Sequence, residues 1–372
     1  MAYTQRQIML CLAYLAYTDQ WLPAQQDYDE TIFTDLTKAL SPQAAVPLPA
    51  VAGQWTVVWG PASYTTPGAY LPDNMMYVAQ LNGQTEPAQY AVAVRGTDGR
   101  VMLDWLMEDL DIAQMIPWNG SRTAFISEAT SIGITNLLGM TGNGVSLQQF
   151  LQTEMASAAT TSASVCVTGH SLGSALSATL AYALRDAQAQ WDPNGKAIVT
   201  TINFAGPTAG DAGYAAAFDA AFSYTGTSPL SFWNSPAGLS APSYADCVRN
   251  TLDVAPLVWN VTTMGTIAKL YEGHLLDSIA PPYGTLIFGD IVSHVAKAFA
   301  ANGFTQLQAA QTPLTGTFVK KTDLPPNGPS NPWIGEAEYQ HHFSYPILLG
   351  VPEVNQLDFS PPATMTLPKP TQ

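Results

Sequence analysis

The chain has 372 residues, a formal net charge of −15, and 11% charged against 47% hydrophobic residues. This composition supplies a large apolar core. The lack of a lysine- or arginine-rich stripe argues against nucleic acid as a partner and against electrostatic docking on anionic membranes. No run reaches the roughly 20 apolar residues that a transmembrane helix needs, and three widely spaced cysteines predict neither a metal site nor a disulfide framework.

The first predicted element is a helix near the N-terminus. Arg6 precedes an apolar run over residues 8–17, but aromatic and polar residues interrupt this run and no small-residue cleavage site follows it. These features favour a first amphipathic helix of the domain over a signal peptide. The sequence leaves the compartment open between a secreted and a cytoplasmic protein.

Strands and helices then alternate along the chain. Three β-rich segments bounded by turns predict successive strands, some of them antiparallel, at 54–62, 75–82 and 89–97. A helix-rich stretch is predicted at 101–150. Later strands are predicted at 165–167, 198–204 and 247–252. This alternation predicts an α/β fold with a mainly parallel central sheet flanked by helices.

A serine on a strand-to-helix turn is the feature with the clearest chemistry. Gly169, Ser171 and Gly173 form the pattern G-x-S-x-G, which follows a β-branched run and precedes leucines at i, i+4 spacing. The pattern is typical of a nucleophile elbow. Small residues there let strand and helix pass closely, and the strained turn exposes the serine hydroxyl.

A serine nucleophile needs an imidazole base, and the base needs a carboxylate that orients it. In α/β-hydrolases the acid and then the histidine follow the serine along the chain. Asp253 follows a predicted strand and precedes a turn-forming proline. Of the five histidines, His341 and His342 lie late in the chain, outside the elbow and outside helix-like stretches. We therefore expect Asp253 as the acid and one of this pair as the base.

Blocks in chain order resemble the class 3 (fungal-type) lipases, a family of α/β-hydrolases. They are the segment 94–97 with Asp104 and Trp105 after it, the elbow 169–173, the block 203–211 and the block 250–256. Valine replaces the family's phenylalanine at position 94, and the family's V-H-x-G-F block is not recognisable. These departures affect the edges of the lid and of the acyl groove.

The resemblance implies a catalytic role for each matched side chain. Ser171 would be the nucleophile, and Asp253 would be the acid that orients the base. The base would be His341 or His342. The glutamine before residue 341 and the tyrosine four residues after it resemble bacterial relatives, which favours His341. The resemblance implies no metal and no organic cofactor.

The resemblance also implies an oxyanion hole and a lid. The backbone N–H groups of Leu172 and Thr97 would hold the oxyanion. The lid candidate is the segment 98–118, which has acidic residues on one helical face and apolar residues on another. An ordinary surface helix explains this pattern at least as well, and the family position favours a lid. The apolar residues expected to face the lipid are Trp105, Leu106, Met107 and Leu110.

We expect one α/β-hydrolase domain over residues 1–350, with cap-like insertions at 223–243 and 258–300 and a proline-containing tail at 351–372. The implied function is hydrolysis of carboxylic esters, with triacylglycerols as the leading substrate class. Phospholipase A1 and short-chain or feruloyl esterases share this machinery, and a non-catalytic lipid-binding protein is the alternative of another class. The expected partners are a lipid or ester substrate and a lipid–water interface. The oligomeric state is left open.

Overall fold

The computed structural model describes residues 3–96, 114–224, 243–267, 269–271, 301–307, 311–319 and 332–357. The elements before the elbow strand are α1 (Gln5–Leu15), α2 (Tyr28–Ala39), β1 (Trp55–Tyr64), β2 (Asn74–Thr85), β3 (Ala88–Val94), β4 (Met115–Pro117), β5 (Phe125–Ser127), α3 (Glu128–Gly139), β6 (Thr141–Gly142), β7 (Val145–Ser146) and α4 (Leu147–Ala156).

The elements from the elbow strand onward are β8 (Ala163–His170), α5 (Leu172–Asp186), α6 (Gln188–Trp191), β9 (Ala197–Phe204), α7 (Ala212–Ala221), β10 (Ala245–Asn250), α8 (Val261–Ile267), β11 (Gln311–Leu314), α9 (Pro332–Glu338) and α10 (Ser344–Leu348). A π-helical turn (Tyr339–Phe343) joins α9 to α10. Short 3₁₀ segments cover Trp118–Gly120, Ala255–Leu257 and Pro352–Gln356.

The central sheet has seven strands in the order β1-β2-β3-β8-β9-β10-β11. The pairs β1–β2 and β2–β3 are antiparallel. Every pair from β3–β8 to β10–β11 is parallel. The predicted mainly parallel sheet flanked by helices is therefore confirmed. β8, which leads into the elbow, lies at the centre of the sheet with a parallel neighbour on each side.

Two hydrophobic clusters cover the two faces of this sheet. Helices α3, α4, α5 and α7 contribute to one cluster, and α1, α2 and α10 contribute to the other. Helix α1 begins with a capping box between Thr4 and Gln7, and every residue from Met9 to Leu15 is buried. The predicted N-terminal helix is thus part of the core. Within the part of the chain that the structure describes, no helix is long and apolar enough to cross a membrane.

The stretch 101–150 departs from the helix-rich expectation. Its described part contains the hairpin of β4 and β5 before α3 begins. The end of the lid candidate is therefore strand β4, while residues 98–113 lie outside the described residues. Strands of only three residues give almost no alternation of apolar and polar positions, so the sequence pattern did not predict them.

The structure also describes parts of the two expected insertions and of the expected tail. The insertion expected at 223–243 lies almost entirely outside them, and α8 is the described helix of the insertion expected at 258–300. Val351 and Val354 are buried in the same cluster as α1. The packed part of the chain therefore continues past residue 350, where we expected the tail to begin.

Asp19 and Asp35, the latter in α2, form a carboxyl pair that makes the stability of the fold depend on pH. Burial, followed by a hydrogen bond shared with Asp35, raises the pKa of Asp19 from 3.8 to about 6. The folded protein holds this proton more tightly than the unfolded chain. The stabilisation that the protonated Asp19 carboxyl provides is therefore present at low pH. It is lost as the pH rises from the unfolded pKa of 3.8 to the folded pKa of about 6. Asparagine keeps a donor at this position but carries no charge.

We predict that Asp19→Asn is more stable than the wild type at about pH 8, by about 1 kcal/mol after screening at this half-buried position, and not at about pH 4. Urea unfolding at the two pH values measures this difference. Asp27→Asn, at an exposed position, controls for loss of one negative charge. An equal effect of Asp19→Asn at both pH values would contradict the prediction.

Candidate active site

The elbow between β8 and α5 holds Ser171 with φ 61° and ψ −132°, a conformation that L-residues rarely adopt. Close backbone packing explains why small residues flank it. A Cβ on Gly169 would overlap the carbonyl of Gly173, and a Cβ on Gly173 would overlap that of Val94. The Ser171 N–H donates to the carbonyl of Phe204 in β9 at 3.0 Å. The sheet itself thus fixes the backbone of the serine.

Asp253 follows the end of β10 and is almost completely buried. Its Oδ1 accepts the Ala255 N–H at 3.0 Å, and its Oδ2 accepts the Tyr345 hydroxyl at 2.8 Å. The Tyr345 oxygen also accepts the Asn250 N–H at 2.8 Å. Burial and the nearby Asp253 charge raise the pKa of Tyr345 well above its usual value. The hydroxyl therefore stays protonated and ties the acid to the end of β10.

The π-helical turn carries the two candidate bases. π turns are rare and occur often at functional sites. His341 is fully buried, and its Nδ1 lies 3.0 Å from each oxygen of Asp253. A carboxylate only accepts hydrogen bonds, so in the neutral ring the hydrogen sits on Nδ1 and the lone pair on Nε2. The buried Nε2 has no hydrogen-bond partner among the described residues.

His342 takes a different position although it adjoins His341. Its ring is half-buried and stands nearly perpendicular to that of His341, with centroids 4.7 Å apart. Its carbonyl accepts the Tyr14 hydroxyl of α1 at 2.6 Å. Within the described contacts, Asp253 bonds His341 and not His342. The structure therefore brings Asp253 and the first histidine of the pair together.

A network of buried amides fixes this turn against β10, and the sequence patterns did not predict it. Asn250 Nδ2 donates to the side-chain and main-chain oxygens of Gln340, at 2.7 and 3.0 Å. Gln340 Nε2 donates to Glu336 Oε1 at 2.7 Å and to the Thr317 carbonyl at 2.8 Å. Asn250 is the first residue of the block 250–256, and Gln340 directly precedes the histidine pair. Both residues are therefore adjacent to a motif that the sequence did reveal.

His170, the residue before Ser171, connects the elbow to the base turn. Its ring is fully buried, its Nε2 lies 2.8 Å from the carbonyl oxygen of His341, and its Nδ1 lies 3.1 Å from the Tyr17 hydroxyl. Burial, with the neighbouring His341 and His342, holds the pKa of His170 well below its usual value. The sequence alone indicates no role for this residue beyond the elbow pattern.

The structure describes one of the two expected oxyanion donors. Leu172 is the first residue of α5, where backbone N–H groups have no partner within the helix and the helix dipole favours negative charge. Thr97 lies outside the described residues. Gly96 packs directly on the elbow, because a Cβ there would overlap the carbonyl of His170. The expected lid residues Trp105, Leu106, Met107 and Leu110 also lie outside the described residues.

Two further features surround the elbow. Nitrogens of His170, His341 and His342 lie within 4.8 Å of one another, the one group with metal-binding potential in the described ranges. Because both nitrogens of His170 and Nδ1 of His341 have protein partners, these bonds explain the cluster without an ion. A mainly apolar cavity of about 50 Å³ lies beside α5, lined by residues that include Ser174, Gly206, Pro256 and Gln306.

Comparison with known proteins identifies the class. Residues 91–231 match the family model "Lipase (class 3)". The crystal structure of M37 lipase is 29% identical and matches with a TM-score of 0.73 over 94% of this chain and 94% of that one. The fold and these matches define an ester-hydrolysing enzyme with the α/β-hydrolase fold. The resemblance to the class 3 lipases that the sequence blocks predicted is therefore confirmed.

More distant fungal structures also match. A mutant form of MDLA from Penicillium cyclopium is 14% identical over 94% of this chain and 97% of that chain, with a TM-score of 0.48. A lipase from Rhizopus microsporus var. chinensis is 15% identical over 69% and 70%, with a TM-score of 0.41. No curated protein sequence matches the chain.

We predict that Tyr345→Phe destabilises the protein by about 1–3 kcal/mol, because it leaves the buried Asn250 N–H without its acceptor and removes one of the donors to Asp253. Urea unfolding measures the loss. Tyr90→Phe is the matched control, since its hydroxyl donates to Glu154 in a partly exposed contact, and it should cost less. Equal losses for the two variants would contradict a special role of the Tyr345 hydroxyl.

Proposed function

We propose that the enzyme cleaves carboxylic esters through an acyl-enzyme formed on Ser171, with His341 as general base and Asp253 as the acid that orients it. The observation that carries the proposal is the buried contact between His341 Nδ1 and both oxygens of Asp253. This contact leaves Nε2 available on a turn that touches the residue before the serine. An imidazole oriented in this way is the group that a serine hydroxyl needs as a base.

The chemistry follows from these positions. As Ser171 Oγ attacks the ester carbonyl carbon, His341 Nε2 takes the hydroxyl proton, and Asp253 stabilises the imidazolium that forms. The Leu172 N–H and, as the second expected donor, the Thr97 N–H stabilise the oxyanion. The tetrahedral adduct collapses when the imidazolium gives its proton to the leaving alcohol. Water then attacks the acyl-enzyme by the same route and releases the carboxylic acid.

Triacylglycerol is the substrate that we propose first. The match to the class 3 lipase family model supports a lipid or other ester as substrate. Phospholipase A1 and short-chain or feruloyl esterase activities use the same catalytic groups and differ in the residues of the lid and groove. We keep a lid over residues 98–118 and activation at a lipid–water interface as part of the proposal.

We predict that Ser171→Ala abolishes hydrolysis of p-nitrophenyl esters from acetate to palmitate, because no other group supplies the nucleophile. Ser174→Ala, one helical turn further along α5 and also buried, is the matched control and should keep most of the activity. Efficient cleavage of the long esters by the wild type supports a lipase, whereas activity confined to acetate and butyrate supports an esterase. Full activity of Ser171→Ala, or an inactive but folded wild type, would contradict the proposal, and the latter would favour a lipid-binding protein.

The two adjacent histidines provide a second test. We predict that His341→Ala lowers kcat by about 10⁶-fold, as expected for loss of a triad base, while His342→Ala changes it by less than about tenfold. Both substitutions remove an imidazole from the same turn, so each controls for the other. A larger loss for His342→Ala would assign the base to His342 instead.

A further inference from the structure

The turn that carries His341 has a defect in its own backbone hydrogen bonding. Pro346 in α10 has no N–H group. An α-helical N–H at this position would bond the carbonyl four residues earlier, that of His342, and a π-helical one would bond the carbonyl five residues earlier, that of His341. Pro346 therefore supplies a hydrogen bond to neither carbonyl.

Side chains from two other elements bond these carbonyls. His170 Nε2, at the end of β8, lies 2.8 Å from the His341 oxygen. The Tyr14 hydroxyl of α1 lies 2.6 Å from the His342 oxygen. The bond to the His341 carbonyl is buried, where an unsatisfied carbonyl is costly, and the bond to the His342 carbonyl is partly buried. The geometry of the base turn thus depends on donors that lie outside it.

The structure also determines which nitrogen of His170 carries the hydrogen. A carbonyl oxygen only accepts, so Nε2 must be the donor towards His341. Because the buried ring is neutral, Nδ1 is then an acceptor, and it faces the Tyr17 hydroxyl at 3.1 Å. The same hydroxyl lies 3.1 Å from the carbonyl oxygen of His170. The His341 carbonyl, which can only accept, therefore selects the tautomer that donates to the base turn.

We propose that His170 is a positioning residue that replaces the backbone donor missing at Pro346 and thereby holds His341 in register with Ser171. This inference rests on the proposed roles of Ser171 and His341. Since His170 directly precedes the nucleophile, its bond to the His341 carbonyl ties the backbone of the base to the backbone of the elbow. Loss of the bond should lower kcat, because small displacements of catalytic groups slow the chemical step.

The matched variants His170→Gln and His170→Asn test the proposal. The amide nitrogen of glutamine reaches approximately the position of the histidine Nε2, whereas that of asparagine reaches only that of Nδ1. We expect His170→Gln to keep kcat for p-nitrophenyl butyrate within about threefold. We expect His170→Asn to lose roughly tenfold or more, with KM changed by less than about twofold. Thermal unfolding verifies that both variants are folded.

Equal kcat values for the two folded variants would overturn the positioning role. If neither variant folds, Tyr17→Phe provides the test, because it keeps the His170 ring and removes the hydroxyl that holds this ring through its Nδ1 and its carbonyl. A several-fold fall in kcat at constant KM supports the role, and an unchanged kcat overturns it. Ser171→Ala is assayed alongside. If it is inactive while the His170 variants behave alike, only this inference fails; if it is active, the proposed function fails.

Discussion

The close approach of β8 to the helix that follows it is the constraint on which the rest of the site depends. Gly169 and Gly173 face each other with no room for a side chain, and Gly96 packs on the same turn. A serine at positive φ stores backbone strain of the order of 1–3 kcal/mol, which persists only where the surroundings impose it. Here the central sheet imposes it, since β8 is paired with β3 on one side and β9 on the other. The proposed nucleophile is therefore positioned by backbone packing.

The proposed acid and base are positioned by a different means. Asp253 follows the end of β10 and His341 lies on the π-helical turn between α9 and α10, and buried polar groups hold both residues in place. Asp253 has a backbone donor, the Tyr345 hydroxyl and His341 as partners. Gln340 joins the base turn to β10. Such networks specify one geometry when every member is satisfied. The bond from His170 to the His341 carbonyl connects this polar half of the site to the elbow.

The sequence predicted the regular parts of this structure and the residues next to them. Strands, the elbow and Asp253 follow from local patterns of apolar residues, glycines and turn residues. The sequence favoured His341 over His342 only by its resemblance to bacterial relatives. A π-helical turn inserts about one extra residue and rotates everything after it by about 100°, so no local pattern indicated which ring faces Asp253. The hairpin of β4 and β5 was too short for any periodic signal. The partners of Gln340 come from segments distant in sequence, and no local pattern predicts such contacts.

The proposed mechanism requires a covalent acyl-enzyme on Ser171. Mass spectrometry after reaction with a fluorophosphonate ester tests it most directly, because the reagent forms a stable adduct on an activated serine. We expect one adduct per chain, located by fragmentation on Ser171, and none after His341→Ala, in which the hydroxyl has no base. An adduct on another residue, or a Ser171 that stays unlabelled in an enzyme active on esters, would contradict the account.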